Sequence, residues 1–142
     1  LSNAAGQIKA RVASHMAESA NKHIKESGSN ANGSYIKFDD GTMICYNTKL
    51  SLTDISITIA KGNVYYSNDA LQWVYPVAFV SYPAVSCFVR FTSNSTLLWI
   101  GQYAAPADNQ QTYSCFRVIS ATSEASINKV SLKMIAIGRW KA

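Results

Sequence analysis

Apolar and polar positions follow two different periods along this chain. Between residues 4 and 26, Ile8, Val12, Met16, Ala20 and Ile24 recur every four positions in a stretch without proline. That spacing predicts an amphipathic helix with a thin apolar stripe. A stripe so thin does not hold a lone helix in water, so the helix needs the domain body or copies of itself as partner. Residues 27 to 34, "SGSNANGS", have two glycines and no apolar side chain larger than alanine, and read as a polar linker.

From residue 35 the period shortens to two. "YIKFDDGTMICY" reads as a hairpin whose Asp40-Gly41 pair tolerates positive φ, either as a two-residue turn or as a type I turn with a glycine bulge. The bulged version puts Ile36, Phe38, Ile44 and Tyr46 on one face, which is taken as the core side. Ile55, Ile57 and Ile59 alternate with Ser56 and Thr58; Val85, Cys87 and Val89 alternate with Ser86 and Arg90. Val130, Leu132 and Met134 are expected to face inward, with Ser131 and Lys133 outward. Pro76 and Pro83 belong at edges or bulges. About eight strands joined by short polar turns predict an all-β fold, an antiparallel β-sandwich preceded by the N-terminal helix. The expected organisation is a helix over 1–26, the linker over 27–34 and a β-sandwich head over 35–142.

Composition narrows the chemistry. Only 15% of the 142 residues are charged, well below the ~25% usual for soluble domains. The surface must therefore lean on Ser, Thr, Asn and Gln, or be hidden between subunits. The net charge of +5 comes from scattered lysines and arginines without a dense block or a nucleic-acid motif, so no nucleic-acid partner is expected. Cys45, Cys87 and Cys115 are odd in number and widely spaced, which predicts buried reduced thiols and folding in a cytoplasm. No apolar run reaches the ~18 residues of a membrane span, and no signal peptide is expected. The triplets at 2–4 and 14–16, "SNA" and "SHM", resemble cloning scars.

Catalytic groups are sparse. Beyond residue 35 there is no histidine, and the carboxylates are Asp39, Asp40, Asp54, Asp69, Asp108 and Glu124. A nucleophile–histidine pair would have to borrow from the helix, where His15 and His23 lie two turns apart, and a carboxylate pair would have to come from turns. Gly-rich phosphate loops and calcium-ligand spacing are missing, so no enzyme activity, cofactor or metal is expected. A metal on the two histidines is the weaker reading beside ordinary solvent-facing or interface side chains.

Three segments together carry a resemblance. "SGSNANGSYIKFDDGTMICY" is similar to the polar lead and "Y-x-K-F-x-DGT-x-I-C" hairpin that opens the C-terminal domain of many phage and prophage tail fibre proteins. "WVYPVAFVSYPAVSC" resembles that family's "P-x-x-F-x-x-x-P-x-V", carried by Pro76, Phe79, Pro83 and Val85. "IAIGRWK" resembles its closing "A-x-G-x-W", carried by Ala136, Gly138 and Trp140. The three occur in the family's order over residues 27 to 142. Asp39 stands where the family often has proline, and residues 93 to 128 match no pattern.

The resemblance implies a homotrimeric β-sandwich head at the tip of a virion's tail fibre, folded in the host cytoplasm. Such a head attaches to a bacterial surface glycan or surface protein without inserting into the membrane. The alternatives are a structural trimerisation or chaperone cap and the non-catalytic part of a glycan-degrading tailspike. For receptor contact the loop 103–113 has the right make-up. Tyr103 and Tyr113 bracket Asp108, Asn109, Gln110 and Gln111, aromatic faces for apolar sugar faces and amides for hydroxyls. Asn94 and Trp99 are secondary candidates, and the Tyr65-Tyr66 turn is next in line.

Overall fold

The computed structural model describes residues 2–17, 23–52, 55–91, 97–103, 111–127 and 130–142. Helix α1 spans Ser2–Ala17 and displays Ile8, Val12 and Met16 on one exposed stripe, each between 57% and 63% accessible. The triplet at 14–16 lies within this helix, and the His15 ring meets that of His23.

The helix expected over 4–26 gives way to strand before its predicted end. Ile24–Asn30 is β1, paired antiparallel with β2, Gly33–Phe38, so the stretch expected as a polar linker is a hairpin. Backbone pairing, not apolar burial, makes it a strand. Small residues let a ring lie across it: Gly28 stands opposite Tyr35, and a Cβ there would sit 2.8 Å from the tyrosine hydroxyl. Asn32 N–H donates to Asn30 Oδ1 at 2.9 Å in the turn. Gly33 leaves the turn at φ +133, where a Cβ would be 2.4 Å from the Tyr46 carbonyl oxygen.

The remaining strands are β3 (Thr42–Leu52), β4 (Ile55–Lys61), β5 (Val64–Ser67), β6 (Leu71–Val74), β7 (Ala84–Phe91), β8 (Leu98–Tyr103), β9 (Tyr113–Ser120), β10 (Glu124–Ile127) and β11 (Val130–Arg139). Two antiparallel sheets result, the first ordered β1-β2-β3-β11-β7 and the second β10-β4-β5-β9-β6. In the second, β8 runs along the other edge of β9 from the end-to-end pair β5 and β6. The protein is thus the expected all-β sandwich with an N-terminal helix. Its described residues hold eleven strands rather than about eight, chiefly because β1 is polar and β10 short, and both leave little apolar signal.

Between the sheets lie two clusters that adjoin through Leu71, Cys87 and Ile100. One gathers Met43, Cys45, Trp73, Tyr75, Phe79, Phe116, Met134 and Ala136, and the other Ile55, Ile57, Val118, Val130 and Leu132. Trp73, Tyr75 and Phe79 form successive edge-to-face pairs with ring centres 5.0 and 5.1 Å apart. The inward alternation of Val130, Leu132 and Met134 is as the sequence predicts.

The opening hairpin differs. Its three-residue loop and the pairing of Ile36 with Ile44 match the bulged version, with Gly41 at φ +90 and Gly41 N–H donating to Phe38 O at 3.1 Å. Yet Met43 and Cys45 take the inner side, while Ile36, Ile44 and Tyr46 lie on the outer face. Both faces of this hairpin are apolar, so alternation gives no choice between them. The aromatic layer of the second sheet makes it.

The three family-like segments converge at one end of the sandwich. A Cβ on Gly138 would fall 2.7 Å from Phe79 and 3.0 Å from Pro83. Val80 N–H donates to Arg139 O at 2.9 Å, Trp140 N–H to Gly41 O at 3.0 Å, and the Trp140 indole to Phe38 O at 2.8 Å. These motif residues are joints between the hairpin, the proline segment and the last strand.

Candidate functional site

The outer face of the second sheet is built by β5, β9 and β8. Strand β9 sends Phe116, Val118 and Ser120 into the core, so Arg117 and Ile119 face outward. Ile119 is registered between Tyr66 on one side and Trp99 on the other, which makes Tyr66–Ile119–Trp99 one cross-strand row. Trp99 is 42% exposed. Ile119 leans over Gly101, where its Cδ1 lies 2.8 Å from the place a Cβ would take. The row is therefore a continuous apolar strip, flat because one of its strands has no side chain beneath the isoleucine.

Charge is present but tied down. The Arg117 guanidinium lies 5.0 Å from the centre of the Tyr66 ring and donates to the carbonyls of Ser67 and, at 3.2 Å, Asn68. Asn68 in turn accepts the Thr58 N–H and hydroxyl at 3.1 and 2.8 Å. These bonds fix the β5–β6 turn beside the ring, and they hold a cation against an aromatic face without leaving it as a free point charge. Further along β9, exposed Gln72 and Val74 stand opposite Cys115 and Tyr113. Such a surface offers ring faces, an amide and a planar cation, groups suited to a polyhydroxylated ligand.

Of the residues proposed from sequence, Trp99 lies in this row. Tyr103 ends β8 opposite Cys115, and Tyr113 starts β9 half-buried. Gln111 is exposed, its carbonyl accepting Phe79 N–H at 2.9 Å and its amide donating to Val80 O at 3.4 Å. Asn94, Asp108, Asn109 and Gln110 lie outside the described residues. Trp99 pairs with Ile119, six residues along β9 from Tyr113, or about 20 Å at strand rise. Trp99 and the Gln111–Tyr113 segment thus mark opposite ends of one strand pair. Sequence reasoning missed Arg117 and Ile119, because "YSCFRVIS" carries apolar residues on both faces and its pattern does not say which one turns outward.

A second concavity of about 290 Å³ is lined by Ser29, Asn30, Gly33, Ser34, Tyr46 and Asn47, among others. Its amides serve the fold. Asn30 donates to Pro76 O at 2.9 Å, and both Asn47 and the Trp73 indole donate to Asn32 O, at 3.0 and 2.9 Å. They clamp the β1–β2 turn to the body.

No protein-family model matches the chain, and no curated protein matches it. Two solved structures are similar to it. One is the P. aeruginosa R1 pyocin fibre comprising C-terminal residues 323–701, at 16% identity and a TM-score of 0.49, covering 80% of this chain and 28% of that one. The other is an N-truncated R1-type pyocin tail fibre, at 16% identity and a TM-score of 0.48, covering 80% of this chain and 85% of that one. This chain therefore spans little more than a quarter of the first structure.

Proposed function

We propose that this chain is the receptor-binding head of a phage-type tail fibre, a virion component folded in the host cytoplasm, which attaches to a bacterial surface glycan or outer-membrane protein without catalysing a reaction. The observation that carries the reading is the outward-facing Tyr66–Ile119–Trp99 strip, exposed at Trp99, with Arg117 stacked beside it. Aromatic faces bury the apolar faces of sugar rings, and amides and guanidinium match hydroxyls, so a charge-poor surface still binds with specificity. Tyr103 and Gln111, toward the far end of β8 and β9, are further candidates for contact. The ordered family-like motifs support the placement on a tail fibre.

The head works as a homotrimer in this reading. Ile8, Val12 and Met16 of α1 are exposed, and the outer face of the first sheet carries the row Ile36–Ile44–Ile137–Ala84 with Phe88 nearby. Three copies would cover both under cyclic symmetry. Purified protein incubated with host cells and with a panel of bacterial surface polysaccharides tests the function. Saturable binding without shortening of the polysaccharide is expected. Cleavage would instead make the chain part of a tailspike, and neither binding nor cleavage would make it a structural cap.

A further inference from the structure

We propose that His15 and His23 form a two-histidine site for a divalent late transition-metal ion of the zinc class, which pins α1 to the β2–β3 turn. The Nε2 atoms of the two rings lie 3.2 Å apart. An ion about 2.0–2.1 Å from both would see them at an angle of about 100°, between the octahedral and tetrahedral values. The ring centres are 4.9 Å apart with planes at 80°. Two imidazoles sharing one ion at those bond lengths put their centres about 5 Å apart, against about 5.5 Å for an in-line N–H···N bond. The same spacing is that of a bent hydrogen bond between the rings, whose proton a shared ion would replace.

Asp39 supplies the second, independent observation. Its Oδ2 lies 3.3 Å from the buried Nδ1 of His23, close enough for its charge though off the line of a hydrogen bond. Its Oδ1 accepts the His23 backbone N–H at 3.2 Å, and Asp39 N–H donates to His23 O at 3.0 Å. The two backbone bonds and the nearby carboxylate hold His23 against the β2–β3 turn with its Nε2 toward His15.

Among the described residues no group of three or more His, Cys, Asp or Glu side chains is placed to hold a metal ion. An imidazole pair suits zinc, nickel and copper, with copper tightest.

Calorimetric titration of the full chain with zinc chloride, after stripping with a chelator, tests the site. One ion per chain is expected, with affinity at least about 10-fold weaker in His15→Gln and, because the carboxylate orients its histidine, about 10-fold weaker in Asp39→Asn. His15 is exposed on a helix, so its replacement leaves the head folded, which a thermal melt of the metal-free protein checks. Zinc should also raise the melting temperature of the wild type and not that of His15→Gln. Absence of binding at millimolar zinc, or equal affinity in the wild type and His15→Gln, would overturn the proposal.

Discussion

The two outer faces of the sandwich are built alike and equipped differently. On the first sheet, Ile36, Ile44 and Ile137 stand in one aliphatic cross-strand row, with Ile137 45% exposed, while Tyr46 and Phe88 lie on the same face outside that row. On the second, the corresponding row is Tyr66, Ile119 and Trp99, with Arg117 stacked on the tyrosine. Branched aliphatic side chains offer area alone, and what they gain by burial is non-directional. Rings with an adjacent guanidinium offer flat faces and directed donors. The first kind of face suits a copy of itself, the second a ligand with both hydroxyls and apolar patches. Two layers in one small domain thus divide assembly from recognition in the reading proposed here.

That division can be broken residue by residue. The largest effect should come from between the sheets. In a denaturant melt of the separated chain, Met43→Ala is expected to destabilise by about 2–5 kcal/mol, whereas its neighbour Ile44→Thr, on the outer face, loses less than about 1 kcal/mol. Equal losses would mean the inner side has been misassigned. Next, Ile137→Glu places a charge in the aliphatic row. Self-association measured by sedimentation should weaken by about 100-fold or more while the melt of the separated chain stays nearly unchanged, since a buried unpaired charge is prohibitive in an interface and harmless in water.

A smaller effect concerns the thiols. Burial pushes Cys45 and Cys87 up to about 11, and pushes Cys115 up as well, against the opposing influence of Arg117. At pH 8 the first two should label about 100-fold more slowly in the native protein than in denaturant, in proportion to their thiolate fractions. The sign of the pH dependence follows. An unfolded thiol ionises near 9 and the buried one does not, so the stabilisation is fully present below pH 9 and is lost as pH rises through about 11. Denaturant midpoints falling over that interval would agree, and flat midpoints would not.

Much of the fold was legible because one apolar face was enough to fix it. Val130, Leu132 and Met134 alternate with polar neighbours, and Ile55 and Ile57 with Ser56, so their inner side was readable. Where both faces are apolar, as at Ile36, Met43, Ile44 and Cys45, the choice rests on Trp73, Tyr75 and Phe79 in the opposite layer, and no local pattern contains it. The β1 strand was illegible for the opposite reason. "IKESGSN" has no apolar face, and its pairing is carried by backbone bonds and by the room that Gly28 leaves for Tyr35. Of the candidate site, Trp99 was recognisable as an exposed aromatic, but its row partners come from strands more than thirty residues upstream and twenty downstream. Only the register of β5, β9 and β8 brings them together. The family-like motifs marked joints, such as Gly138 against Phe79 and Pro83, rather than the recognition surface.

The central claim is that recognition sits on the aromatic row and assembly elsewhere. Binding of fluorescently labelled Trp99→Ala to host cells, compared with wild type at matched sedimentation coefficient, addresses it most directly. The account predicts a fall in cell binding of about 10-fold or more, the loss of one stacking ring from each head, with the melt and the oligomer unchanged. Undiminished cell binding by a Trp99→Ala protein that sediments as the wild type does would contradict it.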